Sequence, residues 1–148
     1  MSGKWTGFTH EFMATELDTR GALSDIMMRL RRIGVSQEQI GAVEIALAEV
    51  VNNIVEHAYR DIAHGRVVFR ARVNDTMLRV LLVDAGATLP GGTLPEGKPA
   101  NIDTPLEDLP EGGFGWFMIR ALARTIRYRR MGGRNHLQLT FDLIPGVE

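Results

Sequence analysis

Ile45-Ala46-Leu47-Ala48-Glu49-Val50-Val51-Asn52-Asn53-Ile54-Val55-Glu56-His57-Ala58-Tyr59 carries two patterns at once. Leu47, Val50, Val51, Ile54 and Ala58 recur at helical spacing and form an apolar stripe. Glu49, Asn53 and His57, each four residues apart, stack on the opposite flank, where Ala42 and Ala46 also fall. A polar ridge beside small side chains leaves room for a ligand to lie against a helix. The plainer reading is a solvated polar face, which every surface helix has. Two motifs further along the chain decide between them.

Outward from this stretch, the spacing of Ser36 and Gln39 is that of a capping box, so the central helix is expected from near Gln37 to about Tyr59. Before it, alternation over Phe8 to Ala14 predicts a strand. Asp18-Thr19 then caps a helix with Leu23, Ile26, Met27, Leu30 and Ile33 on its apolar face, ended by Gly34. After it, Arg66 to Val73 and Met77 to Val83 read as a hairpin turning at Asn74-Asp75. Val80 to Val83 are apolar on both faces, as in an interior strand. Five of the six prolines fall between residues 85 and 112. A loop of that length in a compact domain is uncommon and suggests a lid, over about residues 85–113. A helix from Phe114 to Arg124 follows, then strands Thr125 to Arg130 and His136 to Leu143 around Gly132-Gly133. The expected architecture is α+β: a two-layer sandwich of a mostly antiparallel, mixed sheet with helices on one face.

The 148 residues suit one domain spanning the whole chain. The formal charge of −1 argues against nucleic acid as a partner. The absence of cysteine excludes disulfide frameworks and thiolate chemistry and suits a reducing compartment. Apolar runs are too short for a membrane span, and the first residues lack the apolar segment of a signal peptide. A cytoplasmic protein with no membrane partner is expected.

The second motif is Val83-Asp84-Ala85-Gly86, at the end of the interior strand. Its carboxylate can accept a hydrogen bond from an exocyclic amine, and the glycine lets a flat ring approach the backbone. The third is Glu111-Gly112-Gly113-Phe114-Gly115-Trp116, where the loop meets a helix whose unpaired N–H groups can cradle phosphates. Each alone is also an ordinary turn or hinge.

Together, in this order, the three motifs resemble the GHKL (Bergerat-fold) ATPase superfamily, over about Ser36 to Phe141. Within it the chain is most similar to the small anti-sigma-factor serine kinases of bacterial partner switching. The resemblance implies Glu49 as general base and Asn53 as the residue holding Mg²⁺ on the ATP phosphates. It implies Asp84 at the adenine amine, Gly86 beside the ring, and Gly112, Gly113 and Gly115 at the phosphate end of the lid. His57 is expected to orient or pack. The implied partners are an anti-anti-sigma (STAS) protein carrying the serine, a sigma factor or similar regulator, and a second copy in a homodimer. Two departures stand out: Thr88 replaces the second glycine of the Asp-x-Gly-x-Gly form, and Trp116 stands where Leu is usual. No dimerisation-and-phosphoacceptor helix pair precedes the motifs, so a complete sensor histidine kinase is not expected. The rival from another class is a non-catalytic partner-binding module, which would have no need of a carboxylate at Glu49.

Overall fold

A computed structural model of the chain describes residues 4–62, 65–89, 92–95 and 113–143. Its elements run β1 (Thr6–Met13), α1 (Glu16–Arg32), α2 (Gln37–Asn53), a π-helical turn (Ile54–Ala58), β2 (Arg66–Val73), β3 (Met77–Asp84), α3 (Gly113–Leu122), β4 (Thr125–Met131) and β5 (Arg134–Asp142). The strands form one sheet in the order β1-β2-β3-β5-β4, and every pairing is antiparallel. The expected mixed sheet is therefore corrected: among the described residues no parallel pair occurs, because hairpins supply β2–β3 and β4–β5 and β5 returns beside β3.

One face of the sheet meets the helices. Val67, Phe69, Ala71 and Val73 of β2, Leu78, Val80 and Leu82 of β3, and Leu137, Leu139 and Phe141 of β5 are buried there. Opposite them lie Ile26 and Leu30 of α1, Ile40, Val43, Leu47, Val50 and Val51 of α2, and Trp116 and Ile119 of α3. Period-two residues thus pack on period-3.6 residues, which assigns each helix its buried stripe. β3 is central in the sheet, yet Leu81 and Val83 on its second face are only half-buried. The apolar run there records an interior position in the sheet, not cover on both faces.

Three local expectations change. Thr15, not Asp18-Thr19, caps α1: its Oγ1 accepts from the Asp18 N–H at 3.0 Å, leaving Glu16 and Asp18 in the first turn. Ser36 precedes α2 without a side-chain cap bond: its hydroxyl donates to Gln39 Oε1 at 3.4 Å, and the Gln39 amide nitrogen donates to the Asp142 carbonyl at 3.1 Å. Lastly, the helix through the quoted stretch widens into a π turn over its final five residues. The hairpin turn is as expected, with Asn74 Oδ1 accepting from the Thr76 and Met77 N–H groups at 3.0 and 2.9 Å.

Candidate nucleotide-binding site

α2 brings the polar ridge to the end of the sheet at which β3 stops and β5 begins. Asn53 donates from its side-chain nitrogen to the Glu49 carbonyl at 2.9 Å, one helical turn back. That bond fixes the carboxamide and makes its oxygen the group that Asn53 can offer a ligand. The Glu49 carboxylate lies against α3: a Cβ added at Gly115 would sit 2.7 Å from Glu49 Oε2. The first and third motifs therefore touch, and the missing Cβ at Gly115 is what lets them.

Asp84 ends β3 in the core phase and is 5% exposed. Its Oδ1 accepts from the Gly86 N–H and from Asn135 Nδ2, both at 2.9 Å. The first bond is an Asx turn, which brings the chain round immediately after the strand. Burial pushes the Asp84 carboxyl above the usual carboxylate range, against the pull of Asn135, the Gly86 N–H, Arg130 and His136. Gly86 is pressed onto the π turn, where a Cβ would come within 2.3 Å of the Ala58 carbonyl oxygen. Ala87 N–H donates to that same carbonyl at 2.8 Å. The carbonyl is reachable because Ala58 is the last residue of the helical segment, where carbonyls have no intrahelical partner.

The segment after Asp84 is fastened by side chains that sequence reasoning missed. Asn135 Nδ2 also donates to the Ala87 carbonyl at 2.8 Å, while its Oδ1 accepts from Tyr128 Oη at 2.6 Å and from Arg130 at 3.0 Å. Arg130 further donates to the Gly86 carbonyl at 2.6 Å. The Leu89 N–H donates to Tyr128 Oη at 3.2 Å. From the other side, Tyr59 Oη accepts from the Ala85 N–H at 2.6 Å and donates to the Arg66 carbonyl at 2.7 Å. One signal for Asn135 was available: it occupies the core phase of the alternation Asn135, Leu137, Leu139, Phe141, a polar residue where an apolar one belongs.

Between these groups opens a cavity of about 370 Å³. Asn53, His57 and Arg60 line it from the end of α2 and beyond, Asp84, Thr88 and Leu89 from β3 and the loop, and Trp116 from α3. Ile54, Leu137 and Val50 add apolar wall. The volume lies within the roughly 300–1,000 Å³ of small-molecule sites, and apolar walls with few polar groups are their usual make-up. Such a slot accepts a flat heterocycle with a buried acid at one point of its edge. Glu49 and Gly86 are not among the residues that line the cavity; they touch those that do. His57 is exposed and faces the cavity, and Arg60, not anticipated, adds a positive charge beside it.

Gly113 is the first residue of α3. Gly112 and Glu111 fall outside the described residues, as does most of the expected lid; Pro95, from its described part, accepts from Arg120 Nε at 2.9 Å and lines the cavity. Among the described residues no group of three His, Cys, Asp or Glu side chains could hold a metal. The donor set suits a cation that arrives with its own ligands: Asn53 supplies one neutral oxygen, and Mg²⁺ commonly takes the rest from phosphates and water. Among the same residues, no helix is long and apolar enough to cross a membrane.

The family model described as the histidine kinase-like ATPase domain matches residues 12–141. A relative from Oceanobacillus iheyensis named serine-protein kinase RsbW is 30% identical over 103 residues, 69% of this chain and 65% of that protein. One from Bacillus mycoides with the same name is 32% identical over 119 residues, 79% of this chain and 73% of that protein. Among solved structures, the RsbU and RsbW domains of Rv1364c from Mycobacterium tuberculosis share the fold, with a TM-score of 0.64 at 23% identity over 93% of this chain and 32% of that one.

Proposed function

The chain belongs to the histidine kinase-like ATPase domain family, and from that premise we propose that it is an ATP-dependent serine-protein kinase of a partner-switching circuit. Its match spans a little under two thirds of the Oceanobacillus relative. The observation that carries it is that Asn53 and Asp84 line one cavity while Glu49 rests on the glycine that opens α3 toward them.

In this reading adenine lies between Ile54, Leu137 and the loop, with Asp84 accepting from its amine and Gly86 leaving room for the ring. The triphosphate runs toward the N-terminal end of α3, where Gly113 and Gly115 expose backbone N–H groups and the helix dipole favours negative charge. Gly112, outside the described residues, joins them by its place in the sequence motif. Asn53 would hold Mg²⁺ through its side-chain oxygen, and the ion would supply neutralisation of the phosphate charge. Glu49, one turn from Asn53, takes the proton from the attacking serine hydroxyl, and Trp116 helps exclude water from the closed site. The serine belongs to a STAS-type antagonist, and the chain otherwise holds a sigma factor or similar regulator. It works in the cytoplasm as a homodimer.

Labelled ATP and the antagonist test this directly. Transfer of label to the antagonist is expected, falling at least about a hundredfold in Glu49→Ala, the scale of a general base. Undiminished transfer by that variant would remove Glu49 from the chemistry.

A further inference from the structure

The sheet has a second face, away from the helices and from the cavity. Strand pairing places Arg70, Leu81, Gln138 and Arg127 on one rung across β2, β3, β5 and β4. Val68, Val83, His136 and Arg129 form the next rung. Both rungs end at β4 in an exposed arginine, and Val68, Leu81 and Val83 are half-buried between. In the same phase lie Arg66, Arg72, Arg79 and Arg134, so this face carries seven arginines against two carboxylates, Glu11 and Asp142.

Those charges are unevenly matched. Glu11 meets Arg66 at 3.6 Å, and Asp142 is turned to Arg124 at 2.7 Å. Arg72 and Arg79 lie 5.5 and 5.1 Å from the ring centroid of Trp5. The side chains of Arg70, Arg127 and Arg129 have no hydrogen-bond or ion-pair partner among the described residues. Beside β4, Gly92 and Leu94 border a groove of about 630 Å³ whose floor includes Leu81, His136 and Gln138. The Nδ1 of His136 is buried there without a partner among the described residues.

We propose that this face is a docking surface for an acidic protein segment, seated over Leu81 and Val83 and held by Arg70, Arg127 and Arg129. A chain of net charge −1 that gathers its arginines on one sheet face has a local field opposite in sign to its total, which is what orients an acidic partner. The aliphatic floor selects protein over nucleic acid, because phosphate backbones gain nothing from Val68, Leu81 and Val83, whereas protein interfaces combine an apolar centre with an arginine-rich rim. A second copy docked on this face would set arginine against arginine. The arginine-bearing face is on the opposite side of the sheet from the nucleotide cavity, with Tyr128 at the β4 edge lining both the groove and the cavity; the docking proposal does not depend on the kinase reading.

The probe is a fluorescein-labelled acidic peptide with glutamates flanking a central Leu-Val-Leu segment, alongside its all-glutamate counterpart and a single-stranded oligonucleotide. Saturable, salt-sensitive binding of the mixed peptide is expected, at least about tenfold tighter than the all-glutamate one. Arg127→Glu with Arg129→Glu should weaken it at least about tenfold while leaving the thermal response to Mg-ATP intact; Arg70→Gln with Arg127→Gln repeats the test without charge reversal. The proposal is overturned by peptide binding that ignores both variants. It is equally overturned by tighter oligonucleotide binding lost in the same variants, or by sedimentation in which the reversal turns a dimer into monomers.

Discussion

Asp84 has to remain a carboxyl in a place that disfavours its charge. Burial raises its pKa, so the folded state binds the proton more tightly than the unfolded chain. Such a group costs stability above its folded pKa, and the cost disappears below the unfolded value of about 3.9. Asp84→Asn keeps an oxygen for the Gly86 N–H and the Asn135 amide. Without nucleotide it is therefore expected to melt above the parent protein at pH 7, with the gap closing as the pH falls toward 4. Melting curves across that range check this; a gap that stays constant with pH would mean burial is not what the acid suffers from. Gly115→Ala is the complementary case. The new Cβ meets the far end of a flexible side chain, Glu49 Oε2, and not backbone. The carboxylate can swing away, so the melting point should move little while phosphotransfer falls about tenfold or more through the displaced base. Equal losses of stability and activity would say that the contact is structural.

At the scale of elements, the order of strands and helices was legible because apolar periodicity survives translation into burial. The residues of β2 that alternate in the sequence are the ones buried. Ends were less legible, since they depend on partners distant in sequence. Gln39 looked like half of a capping box, but its amide is taken by Asp142, 103 positions on. The π turn was invisible because its residues still fit helical spacing. It is written instead in the loop it receives, where Gly86 meets the Ala58 carbonyl. Glu49, Asn53 and Asp84 could be singled out because each lies in a short local motif, whereas Asn135, Tyr128 and Arg130 act through strand register. Two substitutions probe the junction. Gly86→Ala drives a Cβ into backbone that cannot yield like a side-chain tip, and should cost about 1–3 kcal/mol. It should also abolish the thermal response to Mg-ATP. Tyr59→Phe orphans the Ala85 N–H and the Arg66 carbonyl, and should cost on the order of 1–3 kcal/mol by chemical denaturation. A loss under about 0.5 kcal/mol would show that water replaces the phenol at the junction.

Across the whole molecule, the cavity touches every layer that the fold brings together. Walls come from α2, the π turn, the loop after β3, α3 and β5. A ligand held there links the helix layer to the sheet, so its binding free energy adds to the free energy of unfolding. At a hundred times its Kd, a nucleotide contributes about 2.7 kcal/mol, which for a chain of this size corresponds to a rise of roughly 5–10 °C in melting temperature. Asp84→Asn should erase that rise although its nucleotide-free form is the more stable one, and the double reversal at Arg127 and Arg129 should keep it. Trp116 reports the same event optically: it is 4% exposed and lines the cavity, so Mg-ATP should shift its emission. A protein that shows neither response at saturating Mg-ATP does not use this cavity for nucleotide. The partner-binding module would then be the better reading, because the arginine face on the other side of the sheet asks nothing of ATP.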